Sequence, residues 1–196
     1  MTAAKEPALL EAERLLDQAG SSADEDVVEA LTERAYCLLQ PLLLREIPGA
    51  LYLHASHTLA REHLAEDVQE RRFIDLIRRA AEAGHAKAQF VLGQLYEDEA
   101  LGPDPAASAT WFAKSAAQSY AYAEWVHGLN LLQGVGLPRD EALGLAFIRR
   151  AAEGKFEGAI QFIVDACENG THGYARDPSA ATAWREKLND PGLISY

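Results

Sequence analysis

Apolar side chains recur every three to four residues along most of the chain, and turns rich in glycine separate the apolar stretches. This spacing places the apolar residues on one face of a helix, so it predicts a succession of amphipathic α-helices. We expect an opening helix over residues 7–19 and a second over residues 27–40. The second should end near Pro41, because proline lacks the N–H that a helix needs. Ser22 and Glu25 have the spacing of a capping box at its start.

The same helical pattern returns at a nearly fixed interval in the second half of the chain. Alanines recur at steps of 35 and 36 residues, at Ala88, Ala123 and Ala159. Aspartates recur at steps of 36 and 37 residues, at Asp104, Asp140 and Asp177. Because the two sets of positions drift together, we infer a repeated unit, and the residues between the anchors predict two helices in each unit.

Each recurring aspartate stands where the first helix of a unit should begin. Its carboxylate can accept hydrogen bonds from the free N–H groups of the first turn, and Pro105 and Pro178 follow where no N–H is missed. A large apolar residue comes seven positions later and is expected to be buried in every unit, as Trp111, Phe147 and Trp184. In the second helix, Gly93 and Gly128 leave little side chain, so we expect a neighbouring helix to approach closely there.

With these anchors the sequence resembles the Sel1-like repeat, a relative of the tetratricopeptide repeat. The resemblance rests on the phrase AAEAGHAKAQFVLGQLY, the GVG turn and the aspartate-x6-tryptophan helix start, and it covers residues 72–188. The sequence departs from the pattern at Val164, where glycine is usual, and at Leu131, where tyrosine is usual. The resemblance implies an all-α fold, a superhelical array of antiparallel helix pairs (an α-solenoid) with atypical N-terminal capping helices.

The expected organisation has two parts within one continuous domain. Residues 1–70 form acidic N-terminal helices that include a degenerate leading repeat, whose second helix lies in residues 47–63 with Ala50 and Ala55 at the alanine/glycine spacing. Residues 71–196 form the repeat array and a C-terminal capping helix. Terminal helices of such arrays cover the apolar end that stacking leaves open.

Charge narrows the range of partners. The formal net charge is −12 at pH 7, and the 14 acids and 5 bases of residues 1–70 contribute −9 of it. An acidic surface repels nucleic acid and anionic membranes and attracts basic proteins. No apolar run is long enough to span a bilayer, and the opening residues lack the apolar core of a signal peptide, so we expect a cytoplasmic protein.

The sequence offers little catalytic chemistry. It lacks nucleophile-elbow, phosphate-loop and zinc-protease motifs, so we expect no enzyme activity, no cofactor and no small-molecule substrate. The entire chain contains two cysteines, which places it outside the Sel1-like subgroup that carries two thiols per repeat. One alternative is a metal-dependent regulator or enzyme, because His54 and His57 are three residues apart on a predicted helix.

Eight residues are candidate contacts for a protein partner. Tyr120 and Tyr122 replace polar residues of the preceding unit, and tyrosine is enriched in binding hot spots; packing against Trp125 is the other interpretation. An acidic cluster follows the opening helix, at Asp24, Glu25 and Asp26. A basic residue stands three positions after each of the apolar residues Leu76, Trp111, Phe147 and Trp184, where it also complements a helix dipole. The first three of these basic residues, Arg79, Lys114 and Arg150, complete the set of candidates; the fourth is Lys187.

These observations predict a non-catalytic protein-binding module. The most specific version is a cytoplasmic bacterial immunity protein that binds and inhibits a basic, nuclease-like toxin, because opposite charges accelerate association. The alternative within the same class is an adaptor or regulator of a secretion or signalling system, with a secreted effector as partner, as the resemblance to Sel1-like proteins implies.

Overall fold

Ten α-helices follow one another along the part of the chain that the computed structural model describes, residues 6–98 and 101–195. They are α1 (Pro7–Gly20), α2 (Glu25–Leu43), α3 (Pro48–Leu53), α4 (Glu66–Glu82), α5 (Ala86–Leu95), α6 (Pro105–Ala116), α7 (Ala121–Gln133), α8 (Glu141–Glu153), α9 (Glu157–Asn169) and α10 (Pro178–Glu186). Consecutive helices pack in pairs, as expected for an all-α helical repeat. None of the described helices is both long and apolar enough to cross a membrane.

The chain divides into two compact units at Gln89 and Phe90. We call the described residues 6–89 the N-terminal unit, and the described residues from 90 onward the C-terminal unit. The sequence predicts a boundary at residue 70 between the acidic N-terminal helices and the repeat array, and this residue lies inside α4. The predicted division stays a proposal about composition and repeat type.

The core of the N-terminal unit forms where α1 packs on α2 and α3. It contains the buried apolar side chains of these helices, among them Leu9, Leu15, Leu39 and Leu53. The opening helix matches its prediction closely, whereas α2 is longer than predicted at both ends. Pro41 lies inside α2, and the helix continues to Leu43. The proline stands in the last turn, so the hydrogen bond it removes affects only the end of the helix.

The predicted capping box at the start of α2 is wrong. The N-cap is Asp24, whose Oδ1 accepts hydrogen bonds from the backbone N–H of Asp26 at 3.0 Å and of Val27 at 3.3 Å. The Ser22 hydroxyl instead accepts from the Asp24 N–H at 3.2 Å. Aspartate is as good an N-cap as serine, and here it stands two residues closer to the helix.

The helix expected over residues 47–63 is irregular. A regular α3 is followed by a π-helical turn over His54–Thr58 and a 3₁₀ turn over Leu59–Glu62. Ala50 and Ala55 are buried, at 0% and 7% exposure, as the alanine/glycine spacing predicts. Wide turns of this kind occur often at functional positions in helices, so the histidines that they carry are considered below.

The C-terminal unit contains the regular repeats. Asp104, Asp140 and Asp177 cap α6, α8 and α10 as predicted, with Pro105 and Pro178 at the first helical positions. Close approach at the two glycines is also confirmed. A Cβ on Gly93 would lie 2.7 Å from Phe112, and one on Gly128 would lie 2.8 Å from Ile148.

The predicted burial of the large apolar anchors is wrong. Trp111, Phe147 and Trp184 are half-buried. In the first two units the following residues, Phe112 and Ile148, are the ones that enter the core, at 0% exposure. Neighbouring positions on a helix differ by about a quarter turn, so a small rotation of each helix decides which of the two side chains the core receives.

Candidate protein-binding surfaces

The basic residues that follow the three aromatic anchors lie over the rings of those anchors. The Lys114 Nζ is 3.7 Å from the centre of the Trp111 ring, and the Arg150 guanidinium is 5.1 Å from the centre of Phe147. A third basic residue, Lys187, repeats the arrangement at 3.6 Å from Trp184. The spacing of three residues places each cation over a half-exposed aromatic face, which stabilises the cation by a cation–π contact.

Two of the candidate basic residues, Arg79 and Arg150, form ion pairs. Arg79, in the N-terminal unit, pairs with Asp75 at 3.2 Å and with Glu46 at 2.8 Å. Arg150 pairs at 2.6 Å with Glu124, whose carboxylate is almost completely buried. Burial raises the pKa of Glu124, and Arg150 opposes the rise. These contacts give both arginines a structural role, and their contact with a partner remains a proposal.

Tyr120 and Tyr122 belong to an aromatic cluster of the C-terminal unit. Their rings are 5.7 Å apart, and both contact Phe90, at 5.5 Å and 5.9 Å. Tyr122 also lies 4.8 Å from Phe156, and its hydroxyl donates to the backbone carbonyl of Ser195. The two half-buried tyrosines therefore contribute to packing, with Phe90 and, for Tyr122, Phe156 as aromatic neighbours. Their role as anchors for a partner stays a prediction.

The acidic cluster is exposed at the start of α2. Asp24 is engaged as the N-cap, while Glu25 and Asp26 occupy the first turn. Negative charge is favourable at a helix N-terminus, so these residues stabilise α2 as well as contributing to the acidic surface. The three carboxylates lie together, as the sequence predicts.

The two histidines of the metal hypothesis lie in different environments. His54 is fully buried, and its Nδ1 and Nε2 lie 2.8 Å from the Thr58 hydroxyl and the Glu62 carboxylate. His57 is exposed and lines a polar cavity of about 330 Å³ in the N-terminal unit. Loss of solvent around the ring lowers the pKa of His57, and Lys87 lowers it further.

Both nitrogens of His54 therefore have protein partners and offer a metal no free lone pair without rearrangement. Among the described residues, no group of three or more histidine, cysteine, aspartate or glutamate side chains is arranged to hold a metal ion.

The sequence did not predict two open grooves that lie in the C-terminal unit. The first has a volume of about 490 Å³ and lies between α6, α7 and the turn before α8; it is lined by Ala109, Thr110, Ala113, Lys114, Ala117, His127, Gly136 and Leu137. The second, of about 360 Å³, is lined by Ala142, Leu145, Ala146, Arg149, His172, Gly173 and Tyr174. We call them the first and second groove. The small residues of α6 could have indicated a groove in the sequence. The concave surface itself is created only by the packing of the turn against that helix.

Comparison with known proteins identifies the fold. The described chain superposes on a Sel1 repeat protein from Oxalobacter formigenes with a TM-score of 0.66 and 26% identity, over 90% of this chain and 67% of the other. It also superposes on a protective antigen from uropathogenic Escherichia coli that displays the same fold, with a TM-score of 0.58 and 26% identity, over 92% of this chain and 33% of the other.

A curated relative extends the similarity to a eukaryote. Chitin synthase regulatory factor 3 of Schizosaccharomyces pombe is 31% identical over 191 residues, which cover 83% of this chain. The chain spans only 20% of the length of that relative. No protein-family model matches the sequence. Together, the structural neighbours and this distant homologue show that the chain has the Sel1-like repeat fold.

Proposed function

We propose that this chain, which has the Sel1-like repeat fold, is a non-catalytic module that binds another protein. The observation that carries the proposal is the pair of open grooves at equivalent places in successive repeats. Helical repeats present continuous surfaces of this kind to extended partners. Two buried titratable groups also favour binding over catalysis, because Glu124 pairs with Arg150 and His54 with Glu62 inside the protein.

The narrower proposal concerns the nature of the partner. The net charge of −12, most of it in residues 1–70, favours a basic protein. A cytoplasmic immunity protein that inhibits a nuclease-like toxin fits this charge, because the active site of a nuclease is itself basic. The adaptor version is supported by the S. pombe relative, which is named as a regulatory factor of chitin synthase.

The test begins with capture of a partner by the full chain and continues with binding kinetics. In the variant Asp24→Asn, Glu25→Gln, Asp26→Asn, asparagine preserves the cap on α2 while the cluster loses its charge. If the acidic surface steers a basic partner, the association rate should fall as salt rises, and this variant should associate more slowly with little change in dissociation. The matched control, Asp98→Asn, Asp165→Asn, Glu186→Gln, removes the same charge from exposed positions of the C-terminal unit.

The same measurement separates the proposed contacts. Tyr120→Ala should raise the dissociation rate by the equivalent of about 2 kcal/mol if Tyr120 is a hot spot, with a melting curve to confirm that the variant folds. An association rate that does not respond to salt would remove the basic partner from the proposal. Enzymatic turnover by the purified chain would contradict the module as a whole.

A further inference from the structure

We propose that the first and second grooves together bind one extended segment of a partner protein, in which apolar side chains alternate with carboxylates. The inference rests on the proposed function in one respect only, that the ligand is a protein. It adds the surface that is used and the chemistry of the segment that occupies it. It does not require the partner to be basic overall.

The two grooves are the same site in successive repeats. Ala109 and Leu145 each stand five residues after the N-cap aspartate of their helix, and Ala113 and Arg149 each stand nine residues after it. The glycine and the apolar residue of the facing turn also correspond, as Gly136 with Leu137 and Gly173 with Tyr174. A ligand that follows the repeat therefore meets equivalent positions twice, with smaller side chains in the first groove and larger ones in the second.

The lining of the first groove suits an aliphatic side chain. Four of its eight lining residues are alanine or glycine, and Leu137 is also apolar. The surface is therefore largely apolar and leaves space for a side chain of the ligand. Apolar surface of this kind gains free energy when a ligand removes it from water. The gain accounts for apolar residues in the ligand.

A buried polar group points to a ligand with hydrogen-bonding atoms as well. His127 lines the first groove and is 8% exposed, and its Nδ1 has no hydrogen-bond partner among the described residues. Its ring contacts Phe147 edge-on, with the centres 4.7 Å apart. Burial lowers the pKa of His127 and favours the neutral ring. An unsatisfied buried nitrogen is costly, and the polar backbone of an extended peptide can compensate for it.

The charge at each groove selects carboxylates. Among the residues that the structure describes, Lys114 is the only lysine, arginine, aspartate or glutamate that lines the first groove, and Arg149 is the only one that lines the second. An aromatic ring holds each cation, Trp111 at 3.7 Å from the Lys114 Nζ and Tyr174 at 5.7 Å from the Arg149 guanidinium. Glu153 interacts with Arg149 but does not line the groove. The two cations are one helix position apart relative to their N-cap aspartates. On a chain with a net charge of −12, a lysine in one groove and an arginine in the next form a local reversal of sign that favours an acidic segment.

An extended peptide meets these requirements together. In an extended chain successive side chains point in opposite directions, so an apolar side chain that enters the first groove leaves its acidic neighbours outside it. The exposed Lys114 Nζ lies over Trp111, a ring that does not line this groove, and so is available to such a carboxylate. The partner segment should therefore alternate aliphatic with acidic residues. A second copy of this chain is the competing occupant, and the experiment must distinguish it.

The test is a titration of the full chain with labelled synthetic peptides, followed by fluorescence anisotropy. The probe alternates leucine with glutamate; one control peptide replaces glutamate by lysine, and another replaces leucine by serine. We expect the probe to bind about tenfold more tightly than either control, since each control removes one of the two complementary features. The long-range ¹⁵N–¹H signals of the His127 imidazole should shift when the probe is added.

Matched variants test the grooves themselves. Lys114→Glu should weaken binding of the probe by about tenfold or more, because it opposes the carboxylates. Lys187→Glu is the control, since Lys187 has the same contact with a tryptophan ring but lines neither groove. Ala113→Leu should weaken the probe by filling the first groove. Melting curves show whether each variant remains folded.

Four results would overturn the inference. Equal affinity for the glutamate and lysine peptides would show that the grooves do not select charge. An equal loss of affinity in Lys114→Glu and Lys187→Glu would show that the probe does not bind in the first groove. Failure of every peptide to bind, or self-association of the chain that Lys114→Glu abolishes, assigns the surface to another occupant. The proposed function is judged separately by partner capture, which stands or fails without these peptides.

Discussion

The Arg150 guanidinium shows how one residue can satisfy several demands of the fold. It pairs with the buried Glu124 at 2.6 Å, lies over Phe147, and approaches the Ala116 carbonyl at 3.5 Å and the Ser119 hydroxyl at 3.4 Å. It thereby connects α8 to α7 and to the turn that precedes α7. Because a buried carboxylate without a partner is costly, this ion pair matters more than an exposed pair of the same length.

Replacing Arg150 by alanine should reduce the free energy of unfolding by about 1–3 kcal/mol at neutral pH. Burial already raises the pKa of Glu124, and loss of Arg150 removes the opposing effect. A carboxyl with a raised pKa in the folded state contributes stability that is present below its unfolded pKa and is lost as pH rises through the folded pKa. The loss in the variant should therefore shrink as the pH falls into the acidic range, as measured by urea unfolding across pH.

The control for this prediction is a pair of variants in which residue 124 carries no charge. Glu124→Gln combined with Arg150→Ala removes both charges, so the difference from Glu124→Gln alone should not depend on pH in this way. A loss in Arg150→Ala that is constant from neutral to acidic pH would contradict the role assigned to the Glu124 carboxylate.

At the scale of helices, close contact between α7 and α8 organises the C-terminal unit. A Cβ on Gly128 would lie 2.9 Å from the Gly144 carbonyl, and a Cβ on Gly144 would lie 2.8 Å from the Gly128 carbonyl. The two helix backbones are therefore in contact at this point. Two facing glycines are needed, because a methyl group on either would meet backbone atoms that cannot move aside easily.

Gly128→Ala should destabilise the protein by about 1–3 kcal/mol through overpacking, although alanine favours a helix more than glycine does. Gly20→Ala is the matched control, since a Cβ at Gly20 meets nothing within 4 Å and the residue also lies in a helix. The control should be neutral or stabilising by up to about 1 kcal/mol. Thermal melting of the two variants compares them directly, and equal melting temperatures would exclude a tight crossing at Gly128.

At the scale of the whole molecule, charge is the dominant feature. The chain carries 30 acidic and 18 basic residues, and most of the excess lies in residues 1–70. Excess charge of one sign destabilises a compact state through self-repulsion. The exposed ion pairs of the described residues offset this only slightly, because each is worth about 0–1 kcal/mol.

The free energy of unfolding should therefore rise as salt is added from low to physiological ionic strength, where screening limits the reach of surface charge to about 8 Å. Urea unfolding at neutral pH measures the effect. The variant Asp24→Asn, Glu25→Gln, Asp26→Asn should show a smaller increase, because part of the repulsion is already removed. A stability that falls with salt would mean that ion pairs outweigh the repulsion.

Local rules determined much of the fold from the sequence alone. The recurring aspartates cap their helices, and the recurring glycines mark close contacts, because both effects act within a few residues or follow from the absence of a side chain. The periodic spacing predicted the helix pairs, and the resemblance of the AAEAGHAKAQFVLGQLY phrase and the GVG turn to known repeats identified the Sel1-like repeat. The charge distribution, which carries the proposal of a basic partner, is also a property of the sequence.

Only the tertiary structure decided which side chains the core receives and what the polar groups contact. Whether Trp111 or Phe112 is buried depends on the rotation of α6 against its neighbours, and the spacing of apolar residues permits both. The partners of Arg150 and the unsatisfied nitrogen of His127 depend on residues distant in the chain. The two grooves exist because a turn from one repeat packs against a helix of the same repeat, and such contacts arise from the folding of the chain in three dimensions.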